Sequence, residues 1–325
     1  FWASRLEEKN RQIHERVNEQ GITEFTETVT KDGFLHICDV VGPDEYKEHK
    51  TDNAFTNYLA AWNIRKAIAC CQLLKVEKPK LYQTLNEKLE LEHWYQEWIQ
   101  KVDRIFLPAP NEKGILPQDS TYLNLQEIDL SKYKAQDFVG GIFHDYNQTQ
   151  INQLQVSKQA DVLALFFLLE DLFPREVKTA TWDYYSERTI HDSSLSLCTH
   201  AVLAADMREL EEAYRLFEKS TEIDLGPVMT TSDAGIHAAS FGGIWQGAVY
   251  GFGGLRTLDG RLRIDPCLPD AWEKLTYEII WQGQRLEVSV TRGNVRVKNL
   301  TKTKIVELKL CKKTVQLEEE VTAEL

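Results

Sequence analysis

Apolar residues recur at helical spacing through most of the first 250 positions, and from about Leu262 they alternate one by one. The first pattern predicts helices and the second predicts strands. Residues 2–18 carry helix formers with scattered apolar positions. Two strands are expected at Glu24–Val29 and Phe34–Val40, around the turn Lys31-Asp32-Gly33. The loop Gly42-Pro43-Asp44-Glu45-Tyr46 follows. Asp52-Asn53 is a good N-cap for a helix running to Leu74, with Phe55, Leu59, Trp62, Ile64 and Ile68 as its main apolar positions. A second long helix is expected from Lys80 to Leu107, ended by Pro108 and Pro110.

Residues 108–150 form the longest irregular stretch, with Gly114, Pro117, Gly140 and Gly141. Loops of this length inside a compact domain are commonly functional. Helices return at about 156–172, 176–188, 194–205, 208–219 and 236–250, mostly with short connections. That succession suggests a helical barrel or toroid rather than a parallel sheet. Beyond Leu262 the alternating sets are Leu275, Tyr277, Ile279 and Trp281, then Leu286, Val288 and Val290, then Val295 and Val297, then Ile305–Leu310. Turns at Gln282-Gly283 and Arg292-Gly293-Asn294 separate the first three. This reads as a small antiparallel β-domain whose boundary lies near Asp259-Gly260, so residues 1–261 and 262–325 are the expected domains.

Charge narrows the function. The 325 residues carry a formal net charge of −12, which disfavours nucleic acid and anionic membrane surfaces as partners. Any phosphate-handling site has to be local. No apolar run is long enough to span a bilayer. The chain opens on Phe1-Trp-Ala-Ser-Arg-Leu6, without an initiator Met and inside an amphipathic pattern, so the absence of a leader there carries little weight. The six Cys form no C-x-x-C pair and read as free thiols in a reducing cytoplasm. The 8 Trp, 12 Tyr and 13 Phe suit sugar rings, and equally suit a packed core.

Four polar clusters stand out. Gly-Pro rigidifies the turn that holds Glu45 at a loop tip, where a partly buried carboxyl serves as a general acid and a solvated one is an ordinary turn residue. Lys158-Gln159-Ala-Asp161 precedes a strongly apolar helix, and a cation with an amide at a helix start either faces an anion or sits in water. His191-Asp-Ser193-Ser194-Leu-Ser196 offers two adjacent hydroxyls, which suit a helix cap or an oxyanion cradle. Ser232-Asp-Ala-Gly-Ile-His237-Ala-Ala-Ser-Phe-Gly-Gly-Ile-Trp-Gln246 combines small residues for close packing with one histidine near a helix start. The chain has no phosphate-binding G-x-x-x-x-G-K-[ST], no G-x-G-x-x-G after a strand, no H-E-x-x-H and no G-x-S-x-G. Its eight His fall at no metal-ligand spacing, so no metal and no organic cofactor is expected.

Val41-Gly-Pro-Asp-Glu-Tyr46 with Asp52-Asn-Ala-Phe-Thr-Asn57, Lys158-Gln-Ala-Asp161, His191-Asp-Ser-Ser-Leu-Ser196, and Gly235-Ile-His-Ala-Ala-Ser240 with Gly242-Gly-Ile-Trp245 together resemble glycoside hydrolase family 65, the maltose, trehalose, kojibiose and nigerose phosphorylases. Leu268-Pro-Asp-Ala-Trp272 also looks like that family's C-terminal end. The resemblance implies a mainly α fold, the second half of an (α/α)6 barrel followed by the small β-domain. The family's N-terminal β-sandwich and first barrel helices have no counterpart here, and they include a Trp-Asp pair that grips the non-reducing glucose. Carried over by position, Glu45 matches the general acid. Lys158 and Gln159 match residues at the glucose and phosphate site, Ser193 and Ser194 the phosphate-binding hydroxyls, and His237 a histidine near the phosphate. Gln118-Asp119, in the region 108–130, matches a loop that shapes the acceptor site.

An inverting hydrolase needs two carboxyl groups, whereas a phosphorylase replaces the base and water by phosphate and needs one acid with an anion cradle. The implied reaction is inverting phosphorolysis of an α-glucosidic disaccharide to β-glucose 1-phosphate and a free sugar. Its partners are the disaccharide and inorganic phosphate as co-substrate, with a homodimer for the full-length enzyme. A water-using hydrolase of the same family and an inactive folded fragment are the competing readings.

Overall fold

The computed structural model describes residues 1–18, 20, 22–136, 138–226, 235–257 and 260–325. Of the segments singled out above, Ser232, Asp233, Ala234 and Asp259 lie outside the described residues. The chain folds into two compact units, residues 1–130 with 142–157 and residues 131–141 with 158–325.

The first unit opens with a hairpin, β1 (Asn10–Val17) paired antiparallel to β2 (Thr23–Thr30), in a register that sets Ile13 opposite Glu27. The helix formers in residues 2–18 therefore yield only the short turn Trp2–Arg5 before becoming a strand. The pairing overrides weak local preference, because opposite charges face each other across it: Arg11 with Glu27 at 3.2 Å and Arg16 with Glu24 at 2.8 Å. The expected partner strand at Phe34–Val40 forms only isolated bridges, with Glu7, Ile105 and Lys50.

α1 (Ala54–Glu77) starts where the sequence predicts it, with Asn53 Oδ1 accepting from the Thr56 amide at 2.9 Å. Its buried face is Ala54, Asn57, Ala60, Ala61 and Ile64, at helical spacing. Pro79 opens the next helix at a position where the missing N–H costs nothing. The single helix expected at Lys80–Leu107 is two helices, α2 (Pro79–Leu89) and α3 (Leu91–Val102). The break is Glu90, in the left-handed region at φ 51°. It is secured by Asn86 Oδ1, which accepts from the Glu92 amide at 2.7 Å, and by Tyr82 and Lys75, which hold the Glu92 carboxylate at 2.6 and 2.7 Å.

The second unit holds α4 (Val162–Leu168), α5 (Arg175–Ser186), α6 (Ser196–Met207), α7 (Leu210–Thr221) and α8 (Ala238–Gln246), the last continued by a wider π-turn over Gly247–Phe252. α8 packs so closely on α6 that a Cβ on Gly243 would lie 2.7 Å from Cys198 Sγ, which is why small residues fill this stretch.

Eight strands follow: β3 (Leu255–Arg256), β4 (Leu262–Ile264), β5 (Lys274–Trp281), β6 (Gln284–Thr291), β7 (Asn294–Asn299), β8 (Val306–Leu310), β9 (Lys313–Leu317) and β10 (Glu320–Glu324). They make two four-stranded sheets, in the orders β10-β7-β6-β5 and β3-β4-β8-β9. The expectation of a purely antiparallel β-domain is corrected here: β4 and β8 run parallel, with Leu262 opposite Leu308 and Ile264 opposite Leu310. Side-chain alternation is the same in either direction, so the pattern along the chain could not tell the two apart. Leu286, Val288, Val290, Val295, Val297, Leu308 and Leu310 form one apolar core with Leu255 and Ile264. The fold is thus mostly helical, with a mixed-sheet C-terminal region. Among the described residues, no helix is long and apolar enough to cross a membrane.

Candidate active site

In the first unit the loop after β2 is built by alternating burial. Asp44, Tyr46 and Lys47 are buried, and Glu45 between them is exposed. Gln118 Nε2 donates to Asp44 Oδ2 at 3.0 Å, and the Tyr46 amide donates to Asp44 Oδ1 at 3.3 Å. The Tyr46 ring meets Phe143 edge-on, with centroids 5.6 Å apart. The Glu45 carbonyl accepts from Gln148 Nε2 at 3.4 Å. The backbone on either side of Glu45 is therefore held, and its side chain is directed outward.

Gln118, placed at the acceptor side by resemblance, is 1% exposed and serves as a strut between segments. Besides reaching Asp44, its carbonyl accepts from Asn53 Nδ2 and from the Ala54 amide at the start of α1. Its Oε1 accepts from Ser157 Oγ, which also meets the Tyr122 hydroxyl at 2.9 Å. Asp119 Oδ1 accepts from the Thr121 hydroxyl and from the Thr121 and Tyr122 amides, closing the turn. A second buried anchor lies behind the loop. The His36 ring bridges two carboxylates, with Nδ1 2.7 Å from Asp52 Oδ2 and Nε2 2.9 Å from Asp32 Oδ1, and Asn57 donates to Asp52 Oδ1 at 2.8 Å.

Lys47 escaped the sequence reading, because nothing in its neighbourhood marks a lysine for burial. It is 1% exposed, its Nζ donates to the carbonyls of Ile151 and Leu154 at 2.7 Å each, and it lies 5.7 Å from the Tyr122 ring centre. Burial drives its pKa down to about 7, against the upward pull of Asp44 and Asp119 and aided by Lys50. An unfolded lysine keeps its proton to roughly pH 10.4. Between these values the unfolded chain binds more protons, so this group adds stability as pH rises through that window and costs most below it. The urea midpoint of the native chain should therefore gain on that of Lys47→Met from pH 7 towards about pH 10. Parallel profiles would show that Lys47 keeps an ordinary pKa.

The second unit carries the remaining candidates. Lys158 and Gln159 are half-buried just before α4. The Asp192 amide donates to the Lys158 carbonyl at 3.0 Å, which brings the Lys-Gln segment beside the twin-serine segment. α4 has only seven residues, so its end contributes less to an anion than the apolar run suggested. The serines precede α6 without capping it: the N-cap is Leu195, and Ser193 Oγ accepts from the Leu195 amide at 3.3 Å. Helix capping therefore does not account for Ser194.

His191, at φ 58°, meets Ser196 Oγ at 2.8 Å, with its ring edge-on to His200 at 4.6 Å. Burial and the adjacent His200 hold His191 well below the usual histidine range, and burial drives His200 down to about 4. This pair is neutral near pH 7 and supplies hydrogen bonds rather than charge. His237 is fixed by a different partner. Its amide donates to Asp224 Oδ2 at 2.9 Å, and its Nδ1 meets Asp224 Oδ1 at 2.7 Å. The His237 bonds hold the Asp224 carboxyl below its ordinary range. Asp224 lies thirteen positions before His237, at no spacing that marks the pair in advance. The bond at Nδ1 orients the ring. Among the described residues, no group of three or more His, Cys, Asp or Glu is arranged to hold a metal ion.

Residues 23–246 match the family model of the glycosyl hydrolase family 65 central catalytic domain, and residues 255–317 match that of the family 65 C-terminal domain. The chain is similar to a kojibiose phosphorylase of Halothermothrix orenii, with 40% identity over 305 residues, covering 94% of this chain and 36% of that protein. It is similar to a kojibiose phosphorylase of Escherichia coli K12, with 35% identity over 264 residues, covering 81% and 33%. The chain thus spans about a third of the length of these curated relatives. Among solved structures, a candidate kojibiose phosphorylase from the human microbiome aligns with a TM-score of 0.79 and 23% identity, over 100% of this chain and 41% of that one. That likeness is one of fold.

Proposed function

This chain belongs to glycosyl hydrolase family 65, and from that premise we propose that it carries the acid and the phosphate side of an inverting disaccharide phosphorylase. In this reading residues 1–261 form the second half of an (α/α)6 barrel and residues 262–325 its C-terminal domain. The observation that carries the proposal is the match of residues 23–246 to the family's central catalytic domain, with Glu45 set between the buried and bonded Asp44 and Tyr46.

Glu45 donates its proton to the glycosidic oxygen while an oxygen of hydrogen phosphate attacks the anomeric carbon from the opposite face. The bond to the departing sugar breaks as the bond to phosphate forms. A single displacement converts the α-glucoside to β-glucose 1-phosphate. The phosphate proton replaces the one Glu45 gave, so the carboxyl is restored and no second carboxylate is needed. Lys158 supplies positive charge, Gln159, Ser193 and Ser194 supply donors, and the Asp224-oriented His237 supplies one more. Gln118 acts on the acceptor side through its bond to Asp44.

The names of the relatives make kojibiose the first substrate to try. The test is incubation with kojibiose, trehalose or maltose, with and without inorganic phosphate, followed by proton NMR of the anomeric signals. Phosphate-dependent β-glucose 1-phosphate is expected, and free glucose formed equally fast without phosphate would assign hydrolysis instead. Replacing Ser193 and Ser194 by Ala should raise the KM for phosphate about tenfold or more and leave that for the disaccharide nearly unchanged. Equal effects on both constants would remove the serines from the phosphate site.

A further inference from the structure

Although the chain carries a net charge of −12, seven of the fifteen residues that line one cavity of its second unit are cations. It measures about 240 Å³ and lies among α5, the end of α6, β3, β4 and the β8–β9 turn. Its three carboxylates are already engaged. Glu170 binds Arg256 at 3.0 Å and also Arg263, Asp206 binds Arg256 at 2.5 Å, and Asp265 binds Arg208 at 2.8 Å.

Four further cations, Arg175, Lys178, Lys309 and Lys312, line the same space. Among the described residues, none of these four has a carboxylate at ion-pair distance. With the three arginines, seven positive groups face three negative ones, a surplus of four. They come from separate segments, so adjacency along the chain does not explain their convergence. Lys312 stands at φ 76° in a two-residue turn with Cys311 at φ 48°, a conformation that favours glycine and asparagine over lysine. Burial also holds the Lys178 ammonium below the usual lysine range. Like charges gathered in a confined space repel one another, and a multivalent anion relieves that repulsion. Arginine forks and lysine ammonium groups together match the oxygens of a phosphate group.

We propose that this cavity binds a phosphate group, free or carried on a small sugar. None of Lys158, Gln159, Ser193, Ser194 or His237 lines it, so the inference stands apart from the catalytic reading. Lys309 and Lys312 are exposed, and their replacement leaves the core intact.

The test is calorimetric titration at low ionic strength with inorganic phosphate and, separately, with a hexose 6-phosphate. It compares the native chain with Ser193→Ala/Ser194→Ala, Lys309→Gln/Lys312→Gln and Lys309→Arg/Lys312→Arg. The serine variant should still bind one equivalent. The glutamine variant should lose about tenfold or more in affinity at that site, and the arginine variant should retain it. Tighter binding of the hexose phosphate assigns the carried group, and equal or weaker binding assigns the free anion. Identical isotherms for the native chain and the glutamine variant, or no binding by the serine variant, overturn the proposal. An absence of phosphorolysis would bear on Glu45 and leave this result untouched.

Discussion

Glu45→Gln is expected to lower kcat for a disaccharide about 10²–10⁴-fold, with little change in KM. Glutamine keeps the size of the side chain and its exposed position, and removes only the transferable proton. The bonds that fix the loop belong to Asp44, Tyr46 and Lys47, so the substitution leaves them in place. The discriminating measurement uses a second substrate, α-glucosyl fluoride, whose leaving group needs much less protonation. The variant should lose far less activity on the fluoride than on the disaccharide. Equal losses on the two would take Glu45 out of proton transfer and leave it a positioning role.

Arg256→Met should cost about 3–5 kcal/mol of stability, a loss typical of removing one partner from a buried ion pair. Arg256 is 3% exposed and bonded on every side. Its Nε reaches Glu170 at 3.0 Å, its Nη2 reaches Asp206 at 2.5 Å, and its Nη1 donates to the carbonyls of Tyr250 and Leu255 at 2.5 and 2.8 Å. These bonds tie the π-turn and β3 to the end of α6. Without the guanidinium, Glu170 keeps Arg263, but Asp206 is left as a half-buried carboxylate with its main counter-charge gone. Burial already holds the Asp206 carboxyl above its ordinary range even with Arg256 present. Urea unfolding measures the loss, and adding Asp206→Asn should recover part of it, because the stranded charge is then removed. A variant within about 1 kcal/mol of the native chain would mean that water reaches this cluster freely.

Some of this was legible from residue order alone and some was not, for reasons that differ by place. α1 was legible because Asn53 caps it and Pro79 stops it, both local signals. The alternation at Leu286–Val290 was legible because one face of that strand is buried. β1 was not, because its strand character comes from β2 and not from its own residues. The break at Glu90 was not, because a left-handed residue is announced by glycine and here is glutamate. Glu45, Lys158, Gln159, Ser193, Ser194 and His237 were singled out as candidates through the family resemblance of the segments that hold them. The groups that hold these segments were not, because Lys47 meets its carbonyls more than a hundred positions away, and Asp224 meets His237 thirteen positions on. Support residues contact their partners in space, and sequence order carries no record of those contacts.

The anchoring of Asp44, Tyr46 and Lys47 around an exposed glutamate has a consequence for tempo. A segment pinned on each side has little freedom to swing like a flap. Under the proposed function, the donor at Glu45 stands still and the sugar has to travel to it. In enzymes without such travel at the donor, turnover is paced by chemistry or by the departure of products. A more viscous medium would then slow this protein to the extent that products are slow to leave, whereas stiffening residues 42–47 would change little.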